Sequence, residues 1–460
     1  MTPDLLKHEI PKKEFTSMSP DVLVIGGGPA GSTISALLAE RGHDVVMLEK
    51  AHHPRFHIGE SLLPMNMPLF DRLGLRKEVE AIGIPKYGAE FVSPWHEHTS
   101  HFFFADAMDK SFPYAVQVRR SELDELLFRH AAKQGARTFE GSRVTQVEMN
   151  TGDGTNEQMN ERARVKVQAD DGSEMEWQPR FVVDASGRDT VLSNKLGIKH
   201  RSQKHASASL FGHFTQAVRQ PGRNAGNISL FWFDHGWFWF IPLADGTTSV
   251  GVVASPAYFK QRKTDPSTFL MEAIALAPKL AARLKGAQMI EPATATGNYS
   301  YHSEFCRGDR FILLGDAFTF VDPMFSSGVF LAMNSAFEGA TAVDHWLRGE
   351  KASAEKAFRH FECISTQGPN MFSWFIYRIT SPAIRNIFMY PRNTWRMKEA
   401  MLSLLAGDLF RNTPIGPKLI GFKFIYYVSC LTNLPAVFKL WLQRRRNLRE
   451  SLKEEATTSP

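Results

Sequence analysis

The stretch DVLVIGGGPAG, residues 21–31, decides the fold of this chain. Its first half is a short apolar run rich in β-branched residues, the pattern of a buried strand, and it stops at glycine. Gly26, Gly28 and Gly31 stand in GxGxxG spacing, the helical pattern STISALLAERG runs on to Gly42, and DVVMLE, residues 44–49, returns to a strand pattern. Strand, turn, helix and strand make a βαβ unit. Each glycine meets a need there: a sharp turn, close approach of backbone to a pyrophosphate, and tight packing of helix on strand. The N–H groups at the helix start favour phosphate charge. Glu49, with Lys50 beside it, ends the second strand where an acidic side chain accepts hydrogen bonds from ribose hydroxyls. A dinucleotide site follows from this arrangement.

The rest of the chain is long enough, at 460 residues, for more than one hydrophobic centre. Its aromatic content of 12%, with 35 Phe, is high and argues for flat apolar surfaces. The net charge of +6 comes from scattered basic residues, clustered only at Arg444, Arg445 and Arg446, so no nucleic-acid surface is expected. Three separated cysteines without CxxC spacing argue against a disulfide framework or a zinc site, and a reducing, cytoplasmic setting is the expectation. Residues 1–19 lack the apolar core of a secretory signal and read as a loose arm, with Met18 a second potential start.

Further helices are expected over 64–82 and over 121–135, the latter opened by a capping box of Ser121 and Asp124 and closed by Gly135. Residues 89–118 and 203–255 read as mostly β, and the polar stretch 150–164 as a hairpin tip or flexible insertion. From Phe358 onward the pattern is helical and aromatic. The most apolar stretch, 414–442, is interrupted by Lys418, Lys423, Pro435 and Lys439, too often for a spanning helix. Two readings remain for it: a helical cap packed on the core, or a segment lying at a membrane interface with the arginine cluster on anionic headgroups, peripheral to an inner membrane.

Residues 234–243, DHGWFWFIPL, place Trp237, Trp239 and Ile241 on one face of a strand and Phe238 and Phe240 on the other. The first set would make a rigid apolar wall, although a sheet core uses such residues too. WHEHTSH, residues 95–101, carries three histidines without metal-ligand spacing and is read as an exposed strand and turn, with no metal expected. Residues 101–116 would line or cover an apolar substrate space.

Two later stretches, FVVDASGRDT (181–190) and CRGDRFILLGDAFTFVDPMFSSG (306–328), end apolar strands in an acidic and a small residue. Here the chain resembles the glutathione-reductase-type FAD enzymes. The resemblance implies FAD, with Asp184 and Gly187 in a DG-like motif, Gly315 and Asp316 in the GD motif facing the ribityl and pyrophosphate region, and Arg120 of Val118, Arg120 and Asp124 at the cofactor edge. Within that superfamily, WxWxIP at Trp237, Trp239, Ile241 and Pro242, IGES at Ile58, Gly59, Glu60 and Ser61, KYGA at residues 86–89 and DPMFSSGV at 322–329 are similar to motifs of the flavin-dependent halogenases, in their phenol and pyrrole branch. By that resemblance Lys86 is the catalytic lysine. Pro323, Ser326, Ser327 and Gly328 hold halide, through hydroxyl and N–H donors of the kind that also make an ordinary helix cap. The tryptophan wall keeps an organic substrate from the flavin until a small anion has reacted.

The resemblance, over residues 21–330, implies an α/β fold: an FAD-binding Rossmann domain (20–85, 115–200 and 300–350), an inserted, mostly antiparallel β-sheet substrate domain (86–114 and 201–299), and a helical C-terminal region (351–460) facing a membrane or a carrier. It implies an FADH2-dependent halogenase acting with oxygen and chloride or bromide on an electron-rich aromatic ring, free or tethered to an acyl carrier protein, in secondary-metabolite or pigment biosynthesis. No second GxGxxG is present to bind NAD(P)H, so reduced flavin is expected from a separate flavin reductase. Lys86 could hold hypohalous acid as an ammonium or, with a pKa lowered by burial, form a haloamine. The rivals are an FAD monooxygenase or geranylgeranyl-reductase-like enzyme, which needs neither the wall nor Lys86, and a noncatalytic flavoprotein that docks on a membrane or carrier.

Overall fold

The computed structural model describes residues 18–149, 162–202, 206–297 and 300–432, and residues 434, 435, 437–439, 441, 442 and 445–447 beyond them. The βαβ unit forms as its sequence dictates: strand Val22–Ile25, helix Pro29–Glu40 and strand Val45–Leu48, all but the helix end buried. The two strands pair in parallel and join Phe181–Asp184, Phe311–Leu313 and Arg137–Phe139 in a six-stranded sheet whose last strand, Arg307–Gly308, is antiparallel. Buried on both faces, these strands are almost continuously apolar, as a parallel sheet requires. The carboxyl ends of the central strands point to one edge, where ligands bind in such folds.

The second large sheet has eight strands, seven in one path and Thr294–Thr296 paired beside it on Ala208–Thr215, antiparallel except where Gly88–Val92 runs parallel to Ile228–Phe233. Its centre is the hairpin of Ile228–Phe233 and Gly236–Pro242, followed by Thr248–Ala254. The alternation read in the tryptophan strand holds. Trp237, Trp239 and Ile241 belong to the core shared with the FAD-type domain, and Phe238 and Phe240 to a separate core beneath helix Pro266–Ala275. Gly251, opposite Trp239, is required there: a Cβ would lie 2.3 Å from the indole ring.

Several expectations are corrected. The 64–82 segment is two helices, Met67–Leu73 and Arg76–Ile82, because Gly74 turns left-handed at φ 69°. Helix Arg120–Lys133 starts without a capping box; Asp124 turns to Arg120 instead, since a buried guanidinium needs a carboxylate more than an exposed helix start needs a cap. Residues 18 and 19, read as part of a loose arm, are held in place: Met18 O accepts from Gln178 N, and the carbonyls of Ser19 and Pro20 accept from Arg162. Residues 1–17 and 150–161 lie outside the described ones; the strands flanking the latter, Ser142–Glu148 and Arg164–Ala169, pair antiparallel.

The C-terminal region packs as helices Lys351–Ile376, Pro382–Met389, Met397–Ala406 and Ile415–Thr432. The first lies on the long helix Gly328–Leu347, and the last on the two before it. Among the described residues no helix is long and apolar enough to cross a membrane.

Candidate active site

A cavity of about 740 Å³ opens along the carboxyl edge of the parallel sheet and reaches the tryptophan strand. Gly26, Gly28, Glu49, Lys50, Ile58, Gly59, Glu60, Ser61, Arg120, Gly187, Gly315 and Asp316 all line it, at one continuous surface. Its far end is walled by Trp237, Trp239 and Ile241, and Pro323, Ser326, Ser327 and Gly328 border it at the start of helix Gly328–Leu347.

The glycine turn has the shape a pyrophosphate needs. A Cβ on Gly31 would lie 1.9 Å from the carbonyl oxygen of Gly26, so that residue serves helix packing and stays off the cavity wall. A Cβ on Gly28 would meet only the Arg55 guanidinium, at 3.5 Å, leaving open space in front of the backbone. Glu49 accepts from Gly27 N at 2.8 Å and Ala51 N at 3.0 Å, which fixes its carboxylate at the rim. Gly187 and Gly328 have nothing within 4 Å of a built Cβ. These surroundings, long, backbone-lined and with an acidic residue at one end, fit FAD.

Beneath the cofactor edge, Arg120 donates to Asp124 at 2.8 and 3.0 Å and to the Ile58 carbonyl at 3.1 Å, while Arg55 spans from Glu49 to Asp124 at 3.3 and 3.2 Å. Burial alone would raise the Asp124 carboxyl, but the two guanidiniums hold it below the usual range. Burial lowers His57 to about 4, aided by Arg120, so its imidazole is neutral near pH 7. Burial raises Asp316 to about 6. Asp124→Asn leaves two buried guanidiniums underpaired and is expected to cost about 3 kcal/mol of stability; an unchanged urea midpoint would show the cluster to be inert.

Three predicted residues lie off the cavity lining. Asp184 does not reach the cavity: it is buried one layer below, accepting from Ser186 N at 2.9 Å and Leu192 N at 2.7 Å, and so shapes the loop that bears Gly187. Pro242 ends the tryptophan strand opposite Thr248 and is absent from the wall. Lys86 is 2% exposed and also off the cavity lining. Its Nζ donates to Ser61 Oγ and to the Leu62 carbonyl, both at 2.9 Å, with the Phe104 ring 5.4 Å away. Ser61, which does line the cavity, stands between the amine and the flavin side. Burial lowers Lys86 to about 7.

The KYGA turn is explained by its neighbours. A Cβ on Gly88 would come within 2.1 Å of the Phe102 carbonyl oxygen, and the N–H groups of Tyr87 and Gly88 both donate to Asn227 Oδ1, at 2.7 and 3.0 Å. Asn227 carries no sequence signal, because its clamp joins segments about 140 residues apart. Residues 101–116 cover Lys86 through Phe104 without lining the cavity. In the histidine cluster, His96 contacts Ser93 Oγ and His98 the Met389 carbonyl.

Comparison with known proteins places this arrangement. The profile described as an FAD binding domain matches residues 19–356. A flavin-dependent halogenase of Armillaria mellea is 31% identical over 414 residues, covering 84% of this chain and 77% of its own. The 1H-pyrrole-2-carbonyl-(peptidyl-carrier protein) chlorinase of Pseudomonas fluorescens is 29% identical, covering 85% and 89%. A flavoprotein/dehydrogenase structure from Cytophaga hutchinsonii superposes with TM-score 0.81 at 30% identity, over 90% of this chain and 100% of that one. The myxobacterial chondrochloren halogenase superposes with TM-score 0.73 at 31% identity, over 90% and 96%. With its FAD-shaped cavity and these relatives, the chain belongs to the flavin-dependent halogenases, FAD-dependent oxidoreductases of the FAD-binding-domain family.

Proposed function

We propose that this protein halogenates an electron-rich aromatic ring, phenolic or pyrrole-like, in the making of a secondary metabolite or pigment, with Lys86 as the catalytic amine. The observation that carries the reading is the meeting of three features at one cavity. The tryptophan strand, the Ser326–Gly328 helix start and Ser61 all border the cofactor cavity, and the buried Lys86 amine is hydrogen-bonded to Ser61 behind that lining.

In this reading Ser326, Ser327 and the N–H of Gly328 hold chloride or bromide at the positive end of a 20-residue helix. FAD held in the cavity and reduced by a separate flavin reductase would supply the oxidising chemistry that turns halide and oxygen into hypohalous acid. Trp237, Trp239 and Ile241 exclude the organic ring from that chamber. The neutral Lys86 amine uses its two N–H donors on Ser61 Oγ and the Leu62 carbonyl, which leaves its lone pair free. That pair takes the halogen: an N–X bond forms, the X–O bond breaks, and the departing hydroxide removes a proton from Nζ as water. The ring then attacks X, the N–X pair returns to nitrogen, and the ring proton restores the amine. The ring can arrive free or on a carrier protein, as the pyrrole does in the Pseudomonas fluorescens relative's name.

The test supplies the protein with FAD, a flavin reductase, NADH, oxygen and bromide, and offers simple phenols and a carrier-bound hydroxybenzoyl group. Product with the paired bromine isotope pattern is expected; oxygenated product without bromine would make the enzyme a monooxygenase. Asn227→Ala is expected to lower turnover on the order of tenfold with FAD absorbance intact, because the Tyr87 and Gly88 N–H groups that follow Lys86 lose their acceptor. A drop in thermal stability at full turnover would reduce Asn227 to a scaffold residue.

A further inference from the structure

Helix Ile415–Thr432 is apolar on two faces, and the described residues bury one of them while leaving most of the other exposed. Ile415, Leu419, Phe422 and Tyr426 are buried against the preceding helices. Ile420, Phe424, Tyr427, Val428 and Leu431 recur at helical spacing on the other side and stay exposed, Phe424 by 70%, Ile420 by 69% and Leu431 by 66%. The exposed series continues through Leu434, Phe438, Trp441 and Leu442. A contiguous apolar face of this size on a soluble surface marks an interaction site.

Charge identifies the occupant. From Asn412 to Arg449 the sequence holds Lys418, Lys423, Lys439, Arg444, Arg445, Arg446 and Arg449 and no acidic residue, although the whole chain is nearly balanced, with 54 basic and 48 acidic residues. At one rim, Trp374 is flanked by Arg378 at 4.5 Å and Lys423 at 5.2 Å and meets the rings of Tyr426 and Tyr427. Farther along, Arg445 lies over Trp441 at 5.0 Å. An apolar face edged by tryptophan, tyrosine and cations, on a helix that does not span, has the chemistry of a segment lying in the headgroup layer.

We infer that this face docks the protein on an anionic lipid bilayer. Its apolar side chains enter the acyl boundary, and the basic residues meet negative headgroups. Helix Met397–Ala406 packs on both this helix and the turn Phe104–Asp106. The cover over Lys86 is therefore one helix removed from the lipid.

The test is sedimentation of the FAD-bound protein with vesicles of mixed phosphatidylglycerol and phosphatidylcholine, and with phosphatidylcholine alone. Binding to the mixed vesicles is expected to be at least tenfold tighter than to neutral ones. It should weaken about tenfold in Lys418→Gln with Lys439→Gln, and be lost in Phe424→Asp with Leu431→Asp, both variants keeping wild-type FAD absorbance. Equal binding to both vesicles, or to neither, overturns the inference. So does a lipid-free dimer, or a complex with an acyl carrier protein, that Phe424→Asp abolishes in place of vesicle binding. None of these readouts depends on halogenation.

Discussion

Lys86→Met is expected to lower halogenated product by about a thousandfold or more while FAD still binds with wild-type affinity. Methionine matches the lysine stem in volume, so the pocket formed with Phe104 stays filled, and no cavity-lining residue is changed. Flavin oxidation should continue, with hypohalous acid escaping to solvent, where a chlorination or bromination dye will trap it. A variant that keeps its halogenated product removes Lys86 from the mechanism.

The same residue sets the pH behaviour. Burial brings its pKa from 10.5 to about 7, so the amine that the proposed mechanism needs accumulates as pH rises through 7. Ring halogenation by the wild type should climb over that interval and level above it; a fall would assign the ammonium, not the amine. Stability follows by linkage. Between pH 7 and 10.5 the unfolded chain binds a proton at this site that the folded chain does not, so this lysine's contribution makes stability rise with pH across that window. Lys86→Met should flatten that slope in urea titrations taken at successive pH values.

The second large effect belongs to the glycine turn, where two neighbouring substitutions separate packing from cofactor contact. Gly31→Val puts a Cβ within 1.9 Å of a backbone carbonyl and 3.3 Å of Ala185 Cβ, neither of which is the movable end of a side chain. The strand and helix must part, and the protein is expected to be recovered without flavin and with reduced thermal stability. Gly28→Ala adds its methyl to open space, so the fold should be retained while FAD affinity falls by roughly a hundredfold, as the methyl occupies the path of the pyrophosphate. Flavin retention in Gly31→Val at wild-type stability would refute the packing role, and unchanged affinity in Gly28→Ala would move the pyrophosphate elsewhere.

What could be read from the sequence were features carried by local periodicity. The βαβ unit and the two-faced tryptophan strand depend on residues a few positions apart, and both formed as read. Features decided by distant partners were not legible. Ser121 and Asp124 fit a capping box, but Arg120 and Arg55 compete for the same carboxylate and win, because leaving them unpaired in the interior costs more than an open helix start. Asp184 ends its strand as a cofactor ligand would, yet the backbone of residues 186 and 192 folds over it. The depth of Lys86 follows from pairing of Gly83–Lys86 with Ala115–Val118 and from the bridge of Ser61 to Gln117. The aromatic C-terminal pattern announced helices, but only packing decides which face remains bare.

The lysine turn leads directly into Gly88–Val92, which is laddered to Ile228–Phe233, itself laddered to the tryptophan strand. Adjacent strands stand 4.7 to 4.9 Å apart in any sheet, so the strand that follows the lysine turn and the wall strand are held about 10 Å from each other by backbone geometry. That interval works as a gauge block. Substitutions in the helix that packs over Phe104–Asp106 can change what covers Lys86 without resetting it, so the cover is free to vary while the sheet beneath keeps its measure.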